Sequence, residues 1–551
     1  MPEKTRGIFW LRQGLTRGIE VAEEVGAGQA IARVPTATVA FIGRALRGPV
    51  SRPVAISSFA DFQSVFGGLW QPSTLSYAIE QFFENGGRTA RVVRVVNGGR
   101  PATLTLPVSR LAFLTFEAQC AGTREFLRAA VDYDNLGSQD GDKFNLVIQR
   151  VRAPGSEHVE DQEIYPRLSV DPHSARHVAK VLVDSSLVRL RGPVPLERPL
   201  RTHRGDGRTI AAYVSSNPDG DDGGPLTDYD IIGSAIDRTG LFALTDSEPF
   251  NFLCIPPLTR DHAVGPSTLL VAARFCRERL ALLFVDPPPA WTSPAAALEG
   301  MRRFAFASDN AVMYFPSVQA YDRLRGHFET FAPSAAAAGM LARLDVSRPF
   351  WAPAEAEDGP LRPGLRPACA VPDEWRERLA TVGVNTLLSV RARRTVGART
   401  LAGAHASAPD WRYLSFRRLA FFVVDSVERG TRWVLFEQPG PALWWRLERQ
   451  VSDFLETLER DEAFPSRHPD PGWFAICDER VNPPQQLGEV RLLFGFAALR
   501  EGDWHCWLLT HGTGSSRVQP VSLNRLQSAG GKPPLDPDFD VATVLQQHLQ
   551  R

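Results

Sequence analysis

Lysine is scarce in this 551-residue chain, and neither sign of charge is in excess. Four of the 62 basic residues are lysines, and the 62 acidic residues bring the formal net charge to zero. A nucleic-acid-binding protein needs a basic field to displace counterions from phosphates, and this composition does not supply one. We therefore expect no nucleic-acid partner. The arginine excess fits the bidentate ion pairs of protein interfaces, and it fits a GC-rich coding sequence at least as well.

The cysteines form neither a disulfide framework nor a metal-binding motif. They are Cys120, Cys254, Cys276, Cys369, Cys477 and Cys506. None is spaced as CxxC, and most stand in apolar runs such as 251–255. Buried, reduced thiols have this pattern, so we expect synthesis and assembly in the cytoplasm.

Long apolar runs are also missing. The N-terminus, 1–6, leads into no apolar stretch of the signal-peptide type. No apolar run reaches the roughly 18 residues that a membrane-spanning helix requires. We expect neither direct insertion into a membrane nor export by a signal peptide.

Motifs for nucleophilic catalysis or phosphate binding are absent from the sequence. There is no GxSxG, and the nearest approach, 512–516, lacks the strand-to-helix context of a nucleophile elbow and indicates a turn. Neither GxGxxG after a strand nor GxxxxGK[ST] occurs. We expect no catalytic residues and no cofactor, although a triad built from distant residues leaves no local motif.

Three sets of residues have spacings that could suggest metal ligands. His173 and His177 stand four apart, the spacing of two zinc ligands on a helix, but lack a third ligand, so a solvated helix face is favoured. His505, Cys506 and His511 sit near one another in the sequence, but adjacent side chains of a strand face opposite ways, so a metal there is not expected. A third set, with a partial calcium-loop spacing but no closing Glu, is interpreted as an acidic turn: Asp219, Asp221 and Asp230. We expect no metal.

Strands and helices alternate over two stretches of the chain, which predicts an α/β fold. In the first stretch the predicted elements are strand 38–42, strand 54–56, a helix carrying Phe59, Phe62 and Phe66, helix 75–83 and strand 90–96. Ser57 or Ser58 can cap the first of these helices, and Gly67-Gly68 stops it. In the second they are strand 252–255, helix 267–280, strand 281–285, helix 295–307 and strand 311–315. Nearly continuous apolar strands separated by helices predict a parallel sheet covered on both faces.

The intervening and final parts of the chain have a different pattern. Residues 101–227 contain short β-like runs such as 144–151 and a predicted helix over 174–183. The last region contains predicted strands 419–424, 433–436, 473–477, 490–498 and 506–509, with an amphipathic helix near 443–458.

We predict a multidomain α/β protein: an α/β sheet domain with a β-rich insertion, an α+β C-terminal domain and extended terminal arms. The bounds are an N-terminal linking arm 1–34, the α/β domain 35–100 and 228–360, the inserted domain 101–227, the C-terminal domain 361–510 and a tail 511–551.

A series of short motifs in a fixed order carries a resemblance to a known family. The first run extends over some sixty residues: Pro35–Arg44, Arg47–Val50, Ser57–Phe62, Phe66–Gly68, Leu75–Ala78, Phe82–Gly87 and Arg91–Val95. Later pieces include Asp237–Leu241, Phe252–Pro256, Val285–Pro288, Gly383–Thr386, Gly397–Leu401, Trp411–Leu414 and Trp433–Glu437. In order and spacing these motifs resemble contractile tail sheath proteins of phages and phage-like injection systems, and the resemblance covers about residues 35–500. The arm before Pro35 and the long polar tail beyond Leu509 depart from the family pattern.

The resemblance implies a structural subunit that stacks as hexameric rings in a helical sheath around an inner tube and contracts to drive that tube through a target envelope. Implied partners are other copies of the chain, the inner tube protein, and baseplate and terminator or cap proteins. Neighbouring subunits would exchange terminal strands, and we expect Ile19, Val21, Trp507, Leu508 and Leu509 to take part. The implied location is a phage tail or a released phage-tail-like particle.

Two alternatives remain open from the sequence. One is a non-polymerising baseplate or cap relative of the sheath, which differs only in assembly. The other is an α/β hydrolase with a β-rich insertion.

Overall fold

The structure, a computed structural model, describes residues 30–202, 213–351, 360–389, 397–403, 409–464, 471–483, 488–497, 504–512 and 514–521. Contacts divide the described chain into two compact units. The first comprises residues 101–119 and 125–220, and the second comprises the remaining described residues. Most of the predicted arms, 1–34 and 511–551, lie outside the described residues.

The strands of the second unit that precede the C-terminal region are β1 (Val39–Gly43), β2 (Val54–Ile56), β3 (Ala90–Arg94), β11 (Phe252–Cys254), β12 (Leu282–Val285), β13 (Ala311–Phe315), β14 (Val318–Asp322), β15 (His327–Phe331), β16 (Arg366–Pro367) and β17 (Val384–Thr386). Its helices are α1 (Phe59–Phe66), α2 (Thr74–Glu84), α4 (Asp228–Ile232), α5 (Pro266–Glu278), α6 (Pro294–Arg303), α7 (Ser334–Ser347) and α8 (Asp373–Thr381).

Local sequence signals explain the first helix of this unit. The Ser58 side chain caps α1 by accepting a hydrogen bond from the Asp61 N–H. Gly67 ends the helix in the left-handed conformation, which glycine adopts without a steric penalty. Phe62 and Phe66, one turn apart, are both buried. The predicted helix is therefore confirmed, including its cap and its termination.

A seven-stranded sheet forms the centre of this unit, in the order β17-β13-β12-β11-β1-β3-β2. All neighbouring pairs are parallel except β2 with β3. Along β1, Val39 and Phe41 belong to one hydrophobic cluster, which includes α1, α2 and α7. Ala40 and Ile42 belong to another, which includes α5, α6 and α8. The parallel sheet covered on both faces is confirmed.

One charged side chain is buried at the end of β3. Arg94 is 1% exposed, and its guanidinium donates hydrogen bonds to the carbonyl oxygens of Ala45, Gly48 and Ala121 at 3.0, 2.7 and 2.7 Å. A buried cation requires such partners because desolvation would otherwise destabilise it. Arg94 therefore fastens the loop after β1 to the sheet.

The first unit is built from two antiparallel sheets. Its strands are β4 (Pro101–Pro107), β5 (Phe113–Ala121), β6 (Leu127–Asp132), β7 (Lys143–Val151), β8 (Val159–Ser169), β9 (Val188–Arg191) and β10 (Val214–Ser215). The sheet orders are β10-β6-β7-β8 and β4-β5-β9. Side chains from both sheets, including Leu106, Phe116 and Phe144, share one core. The predicted helix over 174–183 is wrong in extent, because only α3 (Val178–Val181) is α-helical, followed by a 3-10 turn.

The C-terminal region of the second unit combines helices α9 (Leu414–Gly430) and α10 (Pro441–Arg460) with strands β18 (Trp473–Ile476), β19 (Val490–Ala497), β20 (Trp504–Gly512) and β21 (Ser515–Val521). Two predicted strands are wrong here: residues 419–424 lie within α9, and residues 433–436 lie in a 3-10 helix. The predicted amphipathic helix and the strands at 473, 490 and 506 are confirmed. Within the described ranges, no helix combines the length and apolarity needed to span a bilayer.

Candidate assembly interface

The C-terminal sheet is an antiparallel meander in the order β18-β19-β20-β21. One face packs on helices α9 and α10 in a cluster that includes Phe494, Trp507 and Leu509. The opposite face carries a second buried cluster that includes Phe474 and Leu508. Because side chains alternate along a strand, Leu508 faces away from its two neighbours in β20.

The residues predicted to take part in strand exchange divide into two groups. Ile19 and Val21 lie outside the described residues. Trp507, Leu508 and Leu509 lie at the centre of β20, where they pair with β19 on one side and β21 on the other. In the single chain, β20 is thus an interior strand with both backbone edges occupied. Strand exchange at these three residues stays a prediction.

The outer strand β21 has features of an exposed sheet edge. It pairs along its length with β20, from Gly512 with Ser515 to Cys506 with Val521, and among the described strands it has no partner on its other side. Pro520 lies within it. Proline cannot donate a backbone hydrogen bond, so in sheets it is largely confined to edges. An exposed edge of this kind can pair with another chain.

The opposite edge, β18, is partly covered by carboxylates of α10. Glu459 accepts hydrogen bonds from the Gly472 N–H and the Trp473 indole N–H, both at 2.9 Å. Glu448 accepts from the Cys477 N–H at 2.7 Å. These contacts occupy donors at both ends of β18, so β21 is the more open of the two edges.

A buried histidine ties β21 to the rest of the sheet. His511, at the end of β20, is 2% exposed and lies 2.9 Å from the Thr431 hydroxyl and 2.8 Å from the Ser516 hydroxyl. Since the Thr431 hydroxyl donates to the Val427 carbonyl, its oxygen accepts from the histidine Nε2–H, which leaves Nδ1 to accept from Ser516. Burial, with Arg432 nearby, lowers the pKa of His511 to about 4. The ring is therefore neutral near pH 7.

The residues with metal-like spacing have structural hydrogen-bonding roles. Asp219 accepts from the backbone and hydroxyl of Thr103, and Asp230 forms a capping box with Thr227 at the start of α4. The Asp221 carboxylate accepts a hydrogen bond from the Gly223 N–H.

Each of the histidines examined for metal spacing also has a structural place. His177 immediately precedes α3 and is buried, whereas His173 is exposed in the preceding turn. His505 contacts Asp410 at 3.1 Å and packs beside Trp411. No cluster of three or more potential ligands is present in the part of the chain that the structure describes.

Two further predictions about local chemistry can be compared with the structure. Cys369 is partly exposed and the other five cysteines are buried, as the apolar runs around them predict. Gly512 ends β20, Gly514 is in a turn and Ser515 begins β21, which agrees with the interpretation of this segment as a turn. Sequence reasoning missed β21 itself because its alternation of polar and small residues lacks a hydrophobic signal.

The chain is similar in sequence to a tail sheath protein. It is 24% identical to the tail sheath protein of Burkholderia phage BcepMu over 498 residues, which cover 87% of this chain and 92% of that protein. A sheath tail protein from Listeria innocua has a similar fold, with a TM-score of 0.55 and 12% identity over 90% of this chain and 97% of that one. A sheath complex of the extracellular contractile injection system PVC, in its contracted state, aligns with a TM-score of 0.48 and 15% identity over 88% and 95%. No protein-family model matches the chain.

The resemblance inferred from short sequence motifs is therefore confirmed by a relative aligned over most of both chains. The mixed α/β fold with several sheets is also that of a solved sheath protein.

Proposed function

We propose that this chain is a structural subunit of a contractile tail sheath, which polymerises around an inner tube and contracts to drive the tube through a target envelope. The observation that carries the proposal is the 498-residue alignment with a tail sheath protein, which spans 92% of that relative. The shared fold with a second sheath protein supports it. The role is mechanical rather than catalytic and requires no cofactor or metal.

The proposed partners are other copies of the chain in hexameric rings, the inner tube protein, and the baseplate and terminator or cap proteins. Synthesis and assembly take place in the cytoplasm, before the particle is used as a phage tail or released as a tail-like particle. The charge balance supports a protein-only assembly, because the chain lacks the basic excess that nucleic-acid binding needs.

Neighbouring subunits are linked by strand exchange, and the open edge of β21 supports the C-terminal sheet as the acceptor. In this arrangement Ile19 and Val21 of one copy pair along β21 of the next, while Trp507, Leu508 and Leu509 anchor β20, the strand that holds the acceptor strand β21 in the sheet. An added strand gains backbone hydrogen bonds worth on the order of 1 kcal/mol each. Summed over the subunits of a sheath, these bonds keep the lattice connected while the subunits rearrange.

Contraction is proposed to run from a metastable extended lattice to a shorter, wider lattice of lower free energy. Such a transition needs no nucleotide, since the energy is stored when the sheath assembles. Mild denaturant added to assembled extended sheath should therefore trigger contraction, measured as a decrease in length and an increase in width by electron microscopy. A sheath that dissolves without ever shortening would contradict this mechanism.

Negative-stain electron microscopy of the purified protein, alone and coexpressed with the neighbouring tube gene, tests the proposed function. Striated tubes or helical sleeves are expected. A uniform monomer under both conditions would refute the sheath assignment and would favour the non-polymerising cap or baseplate alternative.

Cysteine cross-linking tests the strand exchange. A full-length chain with Glu20→Cys is mixed, before assembly, with chains carrying Cys at 515, 517 or 519, which share one face of β21. Because each chain has one new cysteine, a heterodimeric disulfide can form only between copies. Val21→Cys, whose side chain alternates to the opposite face, and Tyr229→Cys, which replaces an 85% exposed residue, are the controls.

Oxidation should give a heterodimer band with at least one of the three β21 positions and less with the controls, because paired strands bring Cβ atoms within disulfide range. Equal yields for the Tyr229 control, or no dimer at any position, would contradict pairing of the arm with β21.

A further inference from the structure

A large cleft opens at the carboxyl edge of the seven-stranded sheet. Its volume is about 870 Å³, and its walls come from α2, the β14–β15 hairpin and the loops that follow β1, β11, β12 and β13. The strand order reverses between β1 and β11, since the chain runs from β1 to β3 on one side and continues from β11 on the other. Open parallel sheets bind ligands at such a reversal, outside the carboxyl ends of their strands.

Proline and aromatic rings form much of the cleft wall. The prolines are Pro72, Pro225, Pro256, Pro257, Pro287 and Pro289. Phe328 and Phe331 line the side formed by the hairpin, and Phe328 is 54% exposed. The guanidinium of Arg366 lies 4.5 Å from the centre of the Phe328 ring, which fixes that side chain in place. Apolar walls with aromatic rings suit an extended, proline-containing peptide.

Two polar side chains on this cleft have unused hydrogen-bonding capacity. Gln81, on α2, is 2% exposed, and its Oε1 atom has no hydrogen-bond partner among the described residues. Arg44, after β1, donates to the carbonyl oxygens of Asp222 and Gly223 at 3.1 and 2.8 Å, while its buried Nε is left without a partner in the described structure. Both residues line the cleft, and a bound peptide could supply a donor to the first and an acceptor to the second.

The charge of Arg44 is incompletely compensated. Its guanidinium lies over the Trp70 ring at 4.8 Å, which holds it in position. Burial lowers the pKa of Arg44 below its ordinary value, and this effect outweighs the attraction of Asp222 and Asp221, which raises it. A carboxylate brought to this point would therefore be stabilised.

The other arginines of the cleft are already paired. Arg260 bridges Asp322 at 2.9 Å and Glu329 at 2.8 Å, and Arg325 contacts the second oxygen of Glu329 at 2.9 Å. This network holds the hairpin against the rest of the wall. Among the arginines that line the cleft, Arg44 is therefore the group that gains most from an added carboxylate.

The chain itself contains a segment of matching chemistry. Residues 522–551 lie outside the described residues, and within them residues 532–540 read Lys-Pro-Pro-Leu-Asp-Pro-Asp-Phe-Asp. We propose that Pro533–Asp540 of a second copy of the chain binds in this cleft, with its prolines against the proline and phenylalanine walls and a carboxylate of Asp536 or Asp538 on Arg44.

Proline gives this segment two physical advantages as a ligand. It has no backbone N–H, so burying it against walls that offer few polar partners leaves fewer unsatisfied donors. It also restricts the free chain, so less conformational entropy is lost on binding. In an extended polyproline conformation, the six residues Pro533–Asp538 span about 19 Å.

The inference rests on the proposed function for the claim that copies of the chain meet, and it adds a link separate from strand pairing along β21.

The test uses a fluorescently labelled synthetic peptide of residues 530–541 and the unpolymerised full-length chain. The receptor chain carries Asp536→Asn, Asp538→Asn and Asp540→Asn so that its own tail does not compete. Binding is measured by fluorescence anisotropy.

Two matched receptor variants locate the site. Phe328→Asp adds a repelling carboxylate within the cleft, whereas Leu324→Asp adds the same charge to the same hairpin at a 49% exposed residue that does not line the cleft. We expect saturable binding that Phe328→Asp weakens at least about tenfold and Leu324→Asp leaves unchanged.

A peptide with the three aspartates changed to asparagine checks the charge without altering the receptor, and it should bind more weakly. Three results would each overturn the proposal: binding that does not saturate, an equal loss of affinity in both hairpin variants, or undiminished binding of the asparagine peptide. If the protein forms sheath tubes in electron microscopy but does not bind the peptide, the proposed link through the cleft is wrong and the proposed function stands. Peptide binding by a chain that never forms tubes would keep the site and reject the sheath.

Discussion

The stability of the C-terminal sheet should depend on pH through the buried side chain of His511. The ring is buried between the hydroxyls of Thr431 and Ser516, and burial lowers its pKa from the ordinary value of 6.5 to about 4. Its proton would have to enter a site that is removed from water and close to Arg432. Folding of β20 and β21 therefore opposes protonation of this histidine.

The sign and size of the effect follow from this pKa shift. Between pH 4 and pH 6.5 the unfolded chain binds more protons than the folded one, so stability rises with pH in that range. The contribution is fully present above pH 6.5 and is lost as the pH falls towards 4. A shift from 6.5 to about 4 corresponds to about 3 kcal/mol, since one pKa unit is worth about 1.4 kcal/mol.

The assay is hydrogen exchange of peptides from β20 and β21 at several pH values, corrected for intrinsic exchange rates, in the wild type and in His511→Gln. Glutamine can donate to Thr431 but does not titrate, so the difference between the two proteins isolates the histidine from other groups. The free energy of opening should fall by about 3 kcal/mol more in the wild type than in the variant between pH 7 and pH 4.

Identical pH dependence in the two proteins would refute this reasoning. So would an NMR titration that places the His511 ring pKa near 6.5, because the buried site would then not disfavour the charged form.

Three further predictions concern the seven-stranded sheet and its helices. Arg94→Met should lower the free energy of unfolding by about 3 kcal/mol in denaturant unfolding, because three carbonyl oxygens lose a charged donor. Arg94→Lys should recover part of that loss, and a change below about 1 kcal/mol for the methionine variant would contradict the prediction. Gly339→Ala should lower the melting temperature despite the better helix propensity of alanine, because the added Cβ would lie 2.3 Å from the Phe82 carbonyl oxygen. An unchanged or higher melting temperature would show that α2 and α7 can move apart without cost. Burial raises the pKa of Asp286 to about 7, so the stability that its protonated form contributes is full below about pH 4 and is lost as the pH rises to about 7. Asp286→Asn, which keeps an acceptor for Ser334, should therefore gain stability relative to the wild type at pH 8 compared with pH 5, and no such gain would contradict the raised pKa.

Sequence reasoning succeeded where a segment carries its own boundaries. The helix at 59–66 has a serine cap, a phenylalanine stripe and two terminating glycines, and the structure confirms each. Strand β1 is apolar at all five positions because both of its faces are buried. Signals of this kind are local, so they can be read without knowledge of the rest of the chain.

Sequence reasoning failed where burial removed the periodic signal. Residues 419–424 are consecutive apolar residues, four of them β-branched or aromatic, a pattern that favours a strand. They form part of α9 because that helix is buried on most of its surface, so a short window shows no polar face. The turns of α9 before and after residues 419–424 contain the pattern that indicates a helix, but a window of six residues leaves them out.

The candidate interface shows the same division. Trp507, Leu508 and Leu509 were correctly predicted to be in a strand, but whether that strand lies at the edge or the centre depends on β21, a polar segment that gives no hydrophobic signal. The cleft at the carboxyl edge of the parallel sheet likewise joins α2, four loops and a hairpin that are far apart in the chain.

The type of most elements can be read from the sequence alone, as can the neutral charge balance and the resemblance to sheath proteins, because caps, apolar runs and ordered motifs are properties of neighbouring residues. The tertiary structure sets the strand order and, among the described residues, the exposed edge at β21 and the unpaired polar atoms of Arg44 and Gln81. Those features depend on which distant segments pack together, and the free energy of that packing is distributed over contacts that no single stretch of sequence contains.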